Sequence, residues 1–586
     1  MPHAWRFAVM LVALLAAAQS AGAADSGADS RFKAIYTREW AWRQQQFGLR
    51  DEQDTRQPFV DHLPKADAAA EAARLAYWTS VLKEVDAIPR ARLSPEVQID
   101  YDVYRPQLAG LIASERFRGY EMPINSDSAF YSDIAETARD NFRSLQDYSN
   151  YVKWLGDIPR YFREEIGVMR AGLARGFTPP KVTLAGRDAA IAAVAGAKPE
   201  ASVFFEPFRK NALNIPDAEW SGLRAGALKA IGGQVIPAYR DLLQFVRNTY
   251  IPAARTTIAA EALPDGKAYY RSKILEFTTL DMDPAEIHRI GLAEAVRIHG
   301  EMMGEMHKTG FKGDFPAFLK YLRSDPKFYV TTPDELLRRA AWIAKVFDGK
   351  ASTYFGMLPR ARFAIKPVPA DIAPFYTAGR GGPGVYLLNT YELKSRPLYN
   401  LTALTLHESA PGHAFQIPLA DERKDLPDFR RRTYISAYGE GWALYCEHLG
   451  LEMGMYDTPY DVFGMWGYQI WRAARLVVDT GIHSQGWTRA QAIAYLSENT
   501  ALPEREIGTE VDRYISWPGQ ALSYYLGEMA ILKARAKAEQ ALGSRFNLRA
   551  FHDTVLAMGS VPLPALTARI DRFIAEGGKG PYPDKE

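Results

Sequence analysis

The 586-residue chain contains a single cysteine, Cys446, so no disulfide can form within it. Its charges nearly cancel: 71 basic and 69 acidic residues leave a net charge of +2, and no basic stripe stands out. Electrostatics therefore favour neither nucleic acid nor an anionic membrane as a partner. The remaining composition, 47% hydrophobic and 24% charged, is ordinary for a globular protein with a large core.

The chain also lacks an apolar run long enough to span a membrane. The run from Phe7 to Ala18 is too short; it follows Arg6 and precedes Ala21-Gly22-Ala23, which has the small-residue form of a cleavage site. These features predict a secretory signal peptide over residues 1–23 and a mature protein that is periplasmic or secreted. An uncleaved amphipathic N-terminus is the alternative. No cysteine adjoins the cleavage site, which argues against a lipid anchor.

Chemistry-bearing residues are concentrated in two segments. The first reads LTLHESAPGHAFQ and contains His407, Glu408 and His413, while the second reads YGEGWAL and contains Glu440. Two imidazoles and a carboxylate suit a catalytic zinc ion that keeps one position open for water. A further glutamate, Glu408, is placed to take a proton from that water. The combination predicts metal-dependent hydrolysis.

The spacing of the two histidines is unusual. They are six residues apart, whereas the common zinc-protease helix has them four apart. Six residues of regular helix correspond to about 600° of rotation, which points the side chains to different sides. Pro411 and Gly412 lie between them and disturb regular helix geometry. We therefore expect a bulged helix that returns His413 to His407. Alternatively, Pro411-Gly412 ends the helix and the histidines never meet.

Glu440 lies in an apolar segment, from Thr433 to Leu449, that we predict to be a helix. An antiparallel pair of helices can return this carboxylate to the metal. Burying a glutamate in such a segment is costly unless it is paired or bound to a metal. A surface position on an amphipathic helix is the alternative.

The two motifs carry a family resemblance. His407-Glu408-Ser409-Ala410-Pro411-Gly412-His413 followed by Glu440-Gly441-Trp442-Ala443 resembles a large, mostly bacterial family known as domain of unknown function 885. Arg475 to His483 and Arg513 to Gln520 match the same family, and the resemblance runs from about residue 30 to the C-terminus. That family is in turn similar to the gluzincin peptidases, such as angiotensin-converting enzyme and the thimet-type oligopeptidases.

The resemblance implies a site and an activity. One Zn²⁺ ion is expected on His407, His413 and Glu440, with Glu408 as general base and a peptide as substrate. The chain departs from the gluzincin pattern in the two extra residues between its histidines.

A stripe of polar residues follows the two motifs. Arg472, Arg475, Asp479 and His483 recur at steps of three, four and four, so they share one face of a predicted helix. Arg475 or Arg472 could hold a substrate carboxylate, and His483 could donate to the oxyanion. We also expect Asp479 and Glu447 to support the metal ligands from behind. A structural ion-pair network explains the stripe equally well.

A neutral donor opposite the general base is usual in zinc peptidases, and a phenol is protonated at pH 7. Tyr514, next to Arg513, resembles the Arg-Tyr pair of the angiotensin-converting-enzyme type and is the first candidate; Tyr524 is the second. Most of the 31 tyrosines must serve packing. Arg513 and Tyr524 are also candidates for substrate binding, and the arginines leave capture of a C-terminal carboxylate open.

Two strands are predicted before the motif helix, Ala361 to Pro369 and Gly384 to Thr390, with a glycine-rich loop between them that could lie over a cleft. In related metallopeptidases an edge strand pairs with the substrate backbone. We assign that role to the second strand, through Val385, Tyr386 and Asn389. A small structural hairpin is the alternative.

Helical patterns dominate the rest of the chain. Asp283-Pro284 and Thr332-Pro333 each predict a helix start. We expect a mainly α protein: a two-lobed helical ellipsoid with a small β-sheet beside the zinc-motif helix and a central cleft. The expected parts are an N-terminal helical lobe (24–270) that walls the cleft and a catalytic region (271–586).

The predicted function is zinc-dependent hydrolysis of peptides outside the cytoplasm. A metal-dependent amidase or esterase, or a catalytically silent peptide-binding protein, are the alternatives. Oligomeric state and the choice between exopeptidase and endopeptidase stay open.

Overall fold

The computed structural model of the protein describes residues 26–48, 59–126, 128–139, 142–370 and 372–582. The predicted signal peptide and its cleavage site lie outside these residues. The described chain is mainly α with one small sheet, which confirms the predicted fold class. Within the described ranges, no helix is both long enough and apolar enough to cross a bilayer.

Helices account for most of the described chain. In order they are α1 (Ser26–Phe47), α2 (Ala68–Asp86), α3 (Pro95–Phe117), α4 (Phe130–Thr137), α5 (Leu145–Arg175), α6 (Asp188–Ala195), α7 (Asp217–Ala230), α8 (Ile236–Phe245), α9 (Ile251–Ala253), α10 (Gly266–Thr278), α11 (Pro284–Lys308), α12 (Phe315–Ser324), α13 (Pro333–Tyr354), α14 (Leu401–Glu408), α15 (His413–Asp421), α16 (Asp428–Arg431), α17 (Ser436–Glu452), α18 (Pro459–Ser484), α19 (Arg489–Asn499), α20 (Glu504–Ser516), α21 (Ser523–Leu542), α22 (Leu548–Leu556) and α23 (Leu563–Ala575).

The chain forms two compact units. One consists of Met1–Tyr120, Ala138–Val168 and Ala197–Ala238, and the other of Glu121–Thr137, Met169–Gly196 and Tyr239–Glu586. The predicted boundary at residue 270 and the central cleft stay predictions.

A buried carboxylate organises the first unit. Glu39 on α1 is fully buried and accepts hydrogen bonds from Trp78 Nε1 (2.9 Å) and from the Tyr104 hydroxyl (3.0 Å). Arg43, one turn further on, forms two 2.9 Å hydrogen bonds with the same carboxylate. Because a buried charge is costly unless paired and hydrogen-bonded, this network fixes α1 against α2 and α3.

The second unit is built around α18, whose side chains are buried from Phe463 to His483 with the exception of Gly467. A capping box of Thr458 and Asp461 starts this helix. It packs along α11, where a Cβ on Gly291 would lie only 2.7 Å from the Leu476 Cβ. The predicted starts of α11 and α13 are confirmed, since the Asp283 and Thr332 side chains cap them.

Three short strands form one sheet in the second unit: β1 (Ala364–Pro367), β2 (Gly379–Gly382) and β3 (Val385–Leu388). The order is β1-β3-β2, with β1 parallel and β2 antiparallel to β3. The two predicted strands are confirmed. Two expectations are wrong: the predicted glycine-rich loop contains strand β2, and β3 is the central strand, so its edges are already paired.

Candidate metal centre

The motif helix ends at Glu408 and a new helix begins at His413. The expected bulged helix is therefore wrong, because residues 409–412 form a turn instead. The turn closes on itself through a 3.0 Å hydrogen bond from Gly412 N to the Leu406 carbonyl. A Cβ on Gly412 would lie 1.8 Å from the His407 carbonyl oxygen, so only glycine fits there.

This turn brings the two histidines together. The ring centroids of His407 and His413 are 4.9 Å apart at an angle of 84°, and both side chains are buried. The alternative expectation, that the histidines never meet, is thus also wrong. Trp442, two residues after Glu440, donates from Nε1 to the Pro411 carbonyl at 2.9 Å and ties the turn to α17.

Glu440 completes the set of donor atoms. Its Oε2 lies 3.5 Å from His407 Nε2 and 3.3 Å from His413 Nε2. A tetrahedral zinc ion with bonds of about 2.0–2.1 Å holds neighbouring N and O donors about 3.4 Å apart. The separations between Glu440 and each histidine therefore fit a shared zinc ion.

Glu408 lies at the same place. Donor atoms of His407, Glu408 and His413 lie within 4.8 Å of one another. The backbone N–H of Gly381 on β2 donates to Glu408 Oε2 at 2.6 Å. The glutamate between the histidines is thus held in the site by the edge of the sheet.

A second carboxylate supports the histidine from behind. Glu447 is fully buried on α17, two helical turns after Glu440, and its Oε1 lies 2.7 Å from His407 Nδ1. This contact leaves Nε2 of the ring facing the other donors. Burial lowers the pKa of His407, but hydrogen bonds to Glu440 and Glu447 outweigh it and raise the pKa to about 10. Such a negative environment favours a cation.

The same electrostatics act on the ligand carboxylate. Burial raises the pKa of Glu440, but His413 and His407 outweigh burial and hold that pKa well below its usual range. Glu440 is therefore ionised, as a metal ligand must be.

Sequence reasoning missed Tyr434. Its phenol interacts electrostatically with the Glu440 carboxylate, and its ring centroid lies 6.4 Å from that of His413. Desolvation and the Glu440 carboxylate raise the pKa of Tyr434 well above its usual value, so the phenol stays protonated. The one sequence feature that could have identified Tyr434 is Gly439, because a Cβ there would lie 2.4 Å from the Tyr434 ring.

His483 does not fit its predicted role as an oxyanion donor. Its Nδ1 accepts from Ala260 N at 3.0 Å, and its Nε2 lies 2.9 Å from the Tyr514 carbonyl. Burial lowers the pKa of His483 to about 3, so the ring is neutral. Because backbone groups occupy both nitrogens, no donor is left for a substrate.

Asp479 also has partners away from the metal donors. It accepts hydrogen bonds from the Tyr270 hydroxyl (2.6 Å) and from Gly519 N (3.1 Å). Burial raises the pKa of Asp479 to about 7. The carboxylate holds the turn at Gly519, and within the described residues it makes no hydrogen bond to the histidines, contrary to the expectation that it backs the ligands.

Tyr514 lies among arginines. Its hydroxyl accepts from Arg475 Nε at 2.9 Å and from Trp471 Nε1 at 3.0 Å. Arg475 continues to Glu510, with Nη2 3.0 Å from Oε2, and Arg513 Nη2 lies 3.3 Å from Gln520 Oε1. The predicted cluster thus exists, but within the described chain no hydrogen bond joins the Tyr514 hydroxyl to the metal donors.

The residues assigned to the substrate edge have structural partners. Asn389 is fully buried, and its Nδ2 donates to the carbonyl oxygens of Ala373, Tyr376 and Thr377 at 3.0–3.1 Å. Tyr386 is fully buried in the central strand, and Val385 pairs with Ala364 and with Gly382. The edge next to Glu408 belongs to β2 instead.

Comparison with known proteins gives a family and a fold. Residues 43–570 match the family described as bacterial protein of unknown function, DUF885. No curated protein matches the chain. The crystal structure of a candidate lipoprotein from Colwellia psychrerythraea is 27% identical; the match covers 94% of this chain and 100% of that chain, with a TM-score of 0.85. A candidate lipoprotein of unknown function from Shewanella oneidensis, 18% identical, shares the fold over 92% of this chain and 99% of its own, with a TM-score of 0.67. The chain therefore belongs to the DUF885 family of bacterial proteins.

Proposed function

We propose that the protein is a zinc-dependent peptidase. The observation that carries this proposal is the position of Glu440 Oε2, 3.3–3.5 Å from Nε2 of both His407 and His413, with Glu408 beside them. A bound zinc ion supplies a Lewis acid that polarises a carbonyl group and acidifies a water molecule. A purely structural zinc site would have no use for Glu408.

Glu408 serves as the general base. Its Oε2 accepts the hydrogen bond from Gly381, which leaves Oε1 to take a proton from the attacking water. The water oxygen bonds to the scissile carbon, the C–N bond breaks, and Glu408 passes the proton to the leaving amine. Glu447 keeps the His407 ring oriented throughout.

Tyr434 is the donor that stabilises the developing oxyanion. It is protonated, it lies beside Glu440, and its ring approaches His413. Tyr514, the first candidate from sequence, lies among Arg475 and Trp471, makes no hydrogen bond to the metal donors within the described residues, and is not assigned this role.

The position of β2 supports a peptide as substrate. This strand is an outer strand of the sheet, and Gly381 on it contacts Glu408 directly. An extended peptide that adds to such an edge places its backbone beside the base. The expected signal peptide and the candidate lipoproteins of the same fold support action outside the cytoplasm.

The test is metal content combined with cleavage of a mixed peptide library, read by mass spectrometry. Wild type and Glu408→Gln should each bind one zinc, and only the wild type should cleave. His413→Ala should do neither. Absence of zinc from wild type purified with zinc present would refute the metal site. Zinc without cleavage of any peptide would refute the peptidase assignment.

A further inference from the structure

Arg472 on α18 is a buried cation that forms no salt bridge with any described residue. The residue is 5% exposed, and within the described part of the chain its Nε and Nη1 have no hydrogen-bond partner. Its guanidinium carbon lies 4.0 Å from the Trp471 ring centroid and 4.6 Å from that of Tyr468. Cation–π contacts satisfy the faces of a guanidinium but not the N–H groups in its plane. A buried charge left in this state needs an anion.

Positive charge is in excess around it. Arg475 pairs with Glu510, yet its Nη1 is also buried without a partner among the described residues. Arg396 has a buried Nε in the same state. Together with Arg472, these make three guanidinium groups beside two carboxylates, those of Glu506 and Glu510, which leaves one positive charge over among the described residues.

One more carboxylate lies within electrostatic range. Glu528 interacts with Arg472, but its Oε1 accepts from Gln469 Nε2 at 2.9 Å. Burial raises the pKa of Glu528 to about 8, so it is mostly neutral at pH 7. It therefore leaves the excess of positive charge in place.

A cavity of about 190 Å³ adjoins this cluster. Its charged lining residues are Arg323, Lys394, Arg396 and Glu506, and the Tyr468 ring that contacts Arg472 also lines it. Leu388, Leu401 and Leu404 form an apolar wall. The lining therefore combines an excess of positive charge with an apolar wall. A small anionic group attached to an apolar side chain fits that combination.

Two tyrosines, Tyr524 and Tyr434, lie between the arginine cluster and the metal centre. The Tyr524 ring centroid lies 4.4 Å from the Arg475 guanidinium carbon and 5.8 Å from that of Arg472. Tyr524 and Glu440 both interact electrostatically with Tyr434. A chain of interacting side chains therefore leads from the cluster to the metal donors.

We propose that Arg472, assisted by Arg475 and Arg396, binds the C-terminal carboxylate of the substrate, so that the enzyme is a carboxypeptidase. This inference rests on the proposed peptidase function. A carboxylate offers two acceptor oxygens to the unpaired N–H groups of the planar guanidinium, in the bidentate geometry that arginine favours. The apolar wall then takes the side chain of the C-terminal residue.

Binding tests the subsite without relying on turnover. The zinc-loaded Glu408→Gln variant is titrated calorimetrically with Ala-Ala-Ala-Leu as free acid and as C-terminal amide. The acid should bind roughly tenfold to hundredfold more tightly, as expected for charge-assisted hydrogen bonds. Adding Arg472→Gln should abolish the difference, whereas Arg572→Gln, on the exposed side of α23, should preserve it. Equal binding of acid and amide, binding of neither, or a difference that survives Arg472→Gln would overturn the proposal.

Cleavage assays distinguish failure of the carboxylate subsite from failure of the peptidase assignment, and thermal stability tests Arg472 separately. Wild type should remove residues from the C-terminus of the acid and leave the amide intact; rapid cleavage of the amide would overturn the carboxylate subsite alone. If wild type cleaves nothing, the peptidase assignment fails, while the acid–amide comparison still decides the subsite. Should Arg472→Gln not fold, the comparison in Glu408→Gln alone decides. Arg472→Met should melt at or above the wild-type temperature, because no described partner loses a bond.

Discussion

The backbone N–H of Gly381 donates to Oε2 of Glu408 at 2.6 Å, and this hydrogen bond joins strand β2 to the proposed base. The two backbones also touch: a Cβ on Gly381 would lie 1.7 Å from the Glu408 carbonyl oxygen. The sheet edge and the end of the motif helix therefore form one rigid unit that admits no side chain between them.

Gly381→Ala should displace β2 from Glu408. We expect a loss of stability of about 1–3 kcal/mol, as for other overpacked contacts, and at least a tenfold loss in kcat/KM. Gly382→Ala is the matched control, because nothing lies within 4 Å of a Cβ there. Urea unfolding and peptide cleavage measure the two effects. Identical behaviour of both variants would show that the close contact has no influence on the base.

Glu447→Gln should weaken zinc binding by roughly tenfold to a hundredfold, because the carboxylate that orients His407 loses its charge. Competition with a chelator measures the affinity. Glu452→Gln is the control: it lies on the same helix, but pairs with Arg535 at 2.6 Å. An unchanged affinity in Glu447→Gln would mean that packing alone orients the histidine.

Tyr434→Phe should retain zinc and lose roughly a hundredfold to a thousandfold in kcat, the usual cost of removing an oxyanion donor. Tyr514→Phe should instead lower stability by about 1–3 kcal/mol, since Arg475 and Trp471 lose their acceptor. The measurements are kcat, zinc content and thermal unfolding of both variants. A large fall in kcat for a fully stable Tyr514→Phe would return the donor role to Tyr514.

Acid should destabilise the protein through His483. Burial lowers its pKa in the folded state from 6.5 to about 3, so below pH 6.5 the unfolded chain binds a proton that the folded chain does not. Stability from this group is therefore lost as pH falls from 6.5 towards 3, by about 1.4 kcal/mol per pH unit. The Tyr270 ring and Arg255 face the imidazole and offer no carboxylate to stabilise its charge.

The control for this pH dependence is His483→Gln. It should be less stable than wild type at pH 7, yet lose about 2 kcal/mol less between pH 6.5 and pH 5. Urea unfolding at the two pH values gives the difference. Parallel losses in both proteins would assign the acid sensitivity to other groups.

Features that depend on neighbouring residues were predictable from sequence. The helix starts at Asp283 and Thr332 follow from caps within three residues. The grouping of His407, His413 and Glu440 was expected from residue type and from the family resemblance, whereas the six-residue spacing of the histidines argued against it on a regular helix. The turn that unites the histidines was not predictable, because it depends on the Gly412–Leu406 hydrogen bond and on room that only glycine leaves.

Features that depend on distant partners were missed or misread. The spacing of His483 placed it correctly on a polar face, but its partners Ala260 and Tyr514 lie 223 and 31 residues away. Tyr434 escaped notice because it lies just before a helix, outside any periodic pattern. The prediction that β3 is an edge strand was wrong for a similar reason. The glycine-rich segment that forms β2 has few of the side chains that usually mark a strand.

The burial of Cys446 makes the opening of α17 measurable. The thiol is fully buried on α17, six residues after Glu440, and burial raises its pKa well above the usual range. A thiol reagent can therefore react only when this helix opens, and the chain has no other cysteine to confuse the signal. The unaltered protein therefore contains a reporter for the opening of α17, the helix that contributes Glu440. The rate at which Cys446 is labelled measures how strongly a bound ion stabilises that helix.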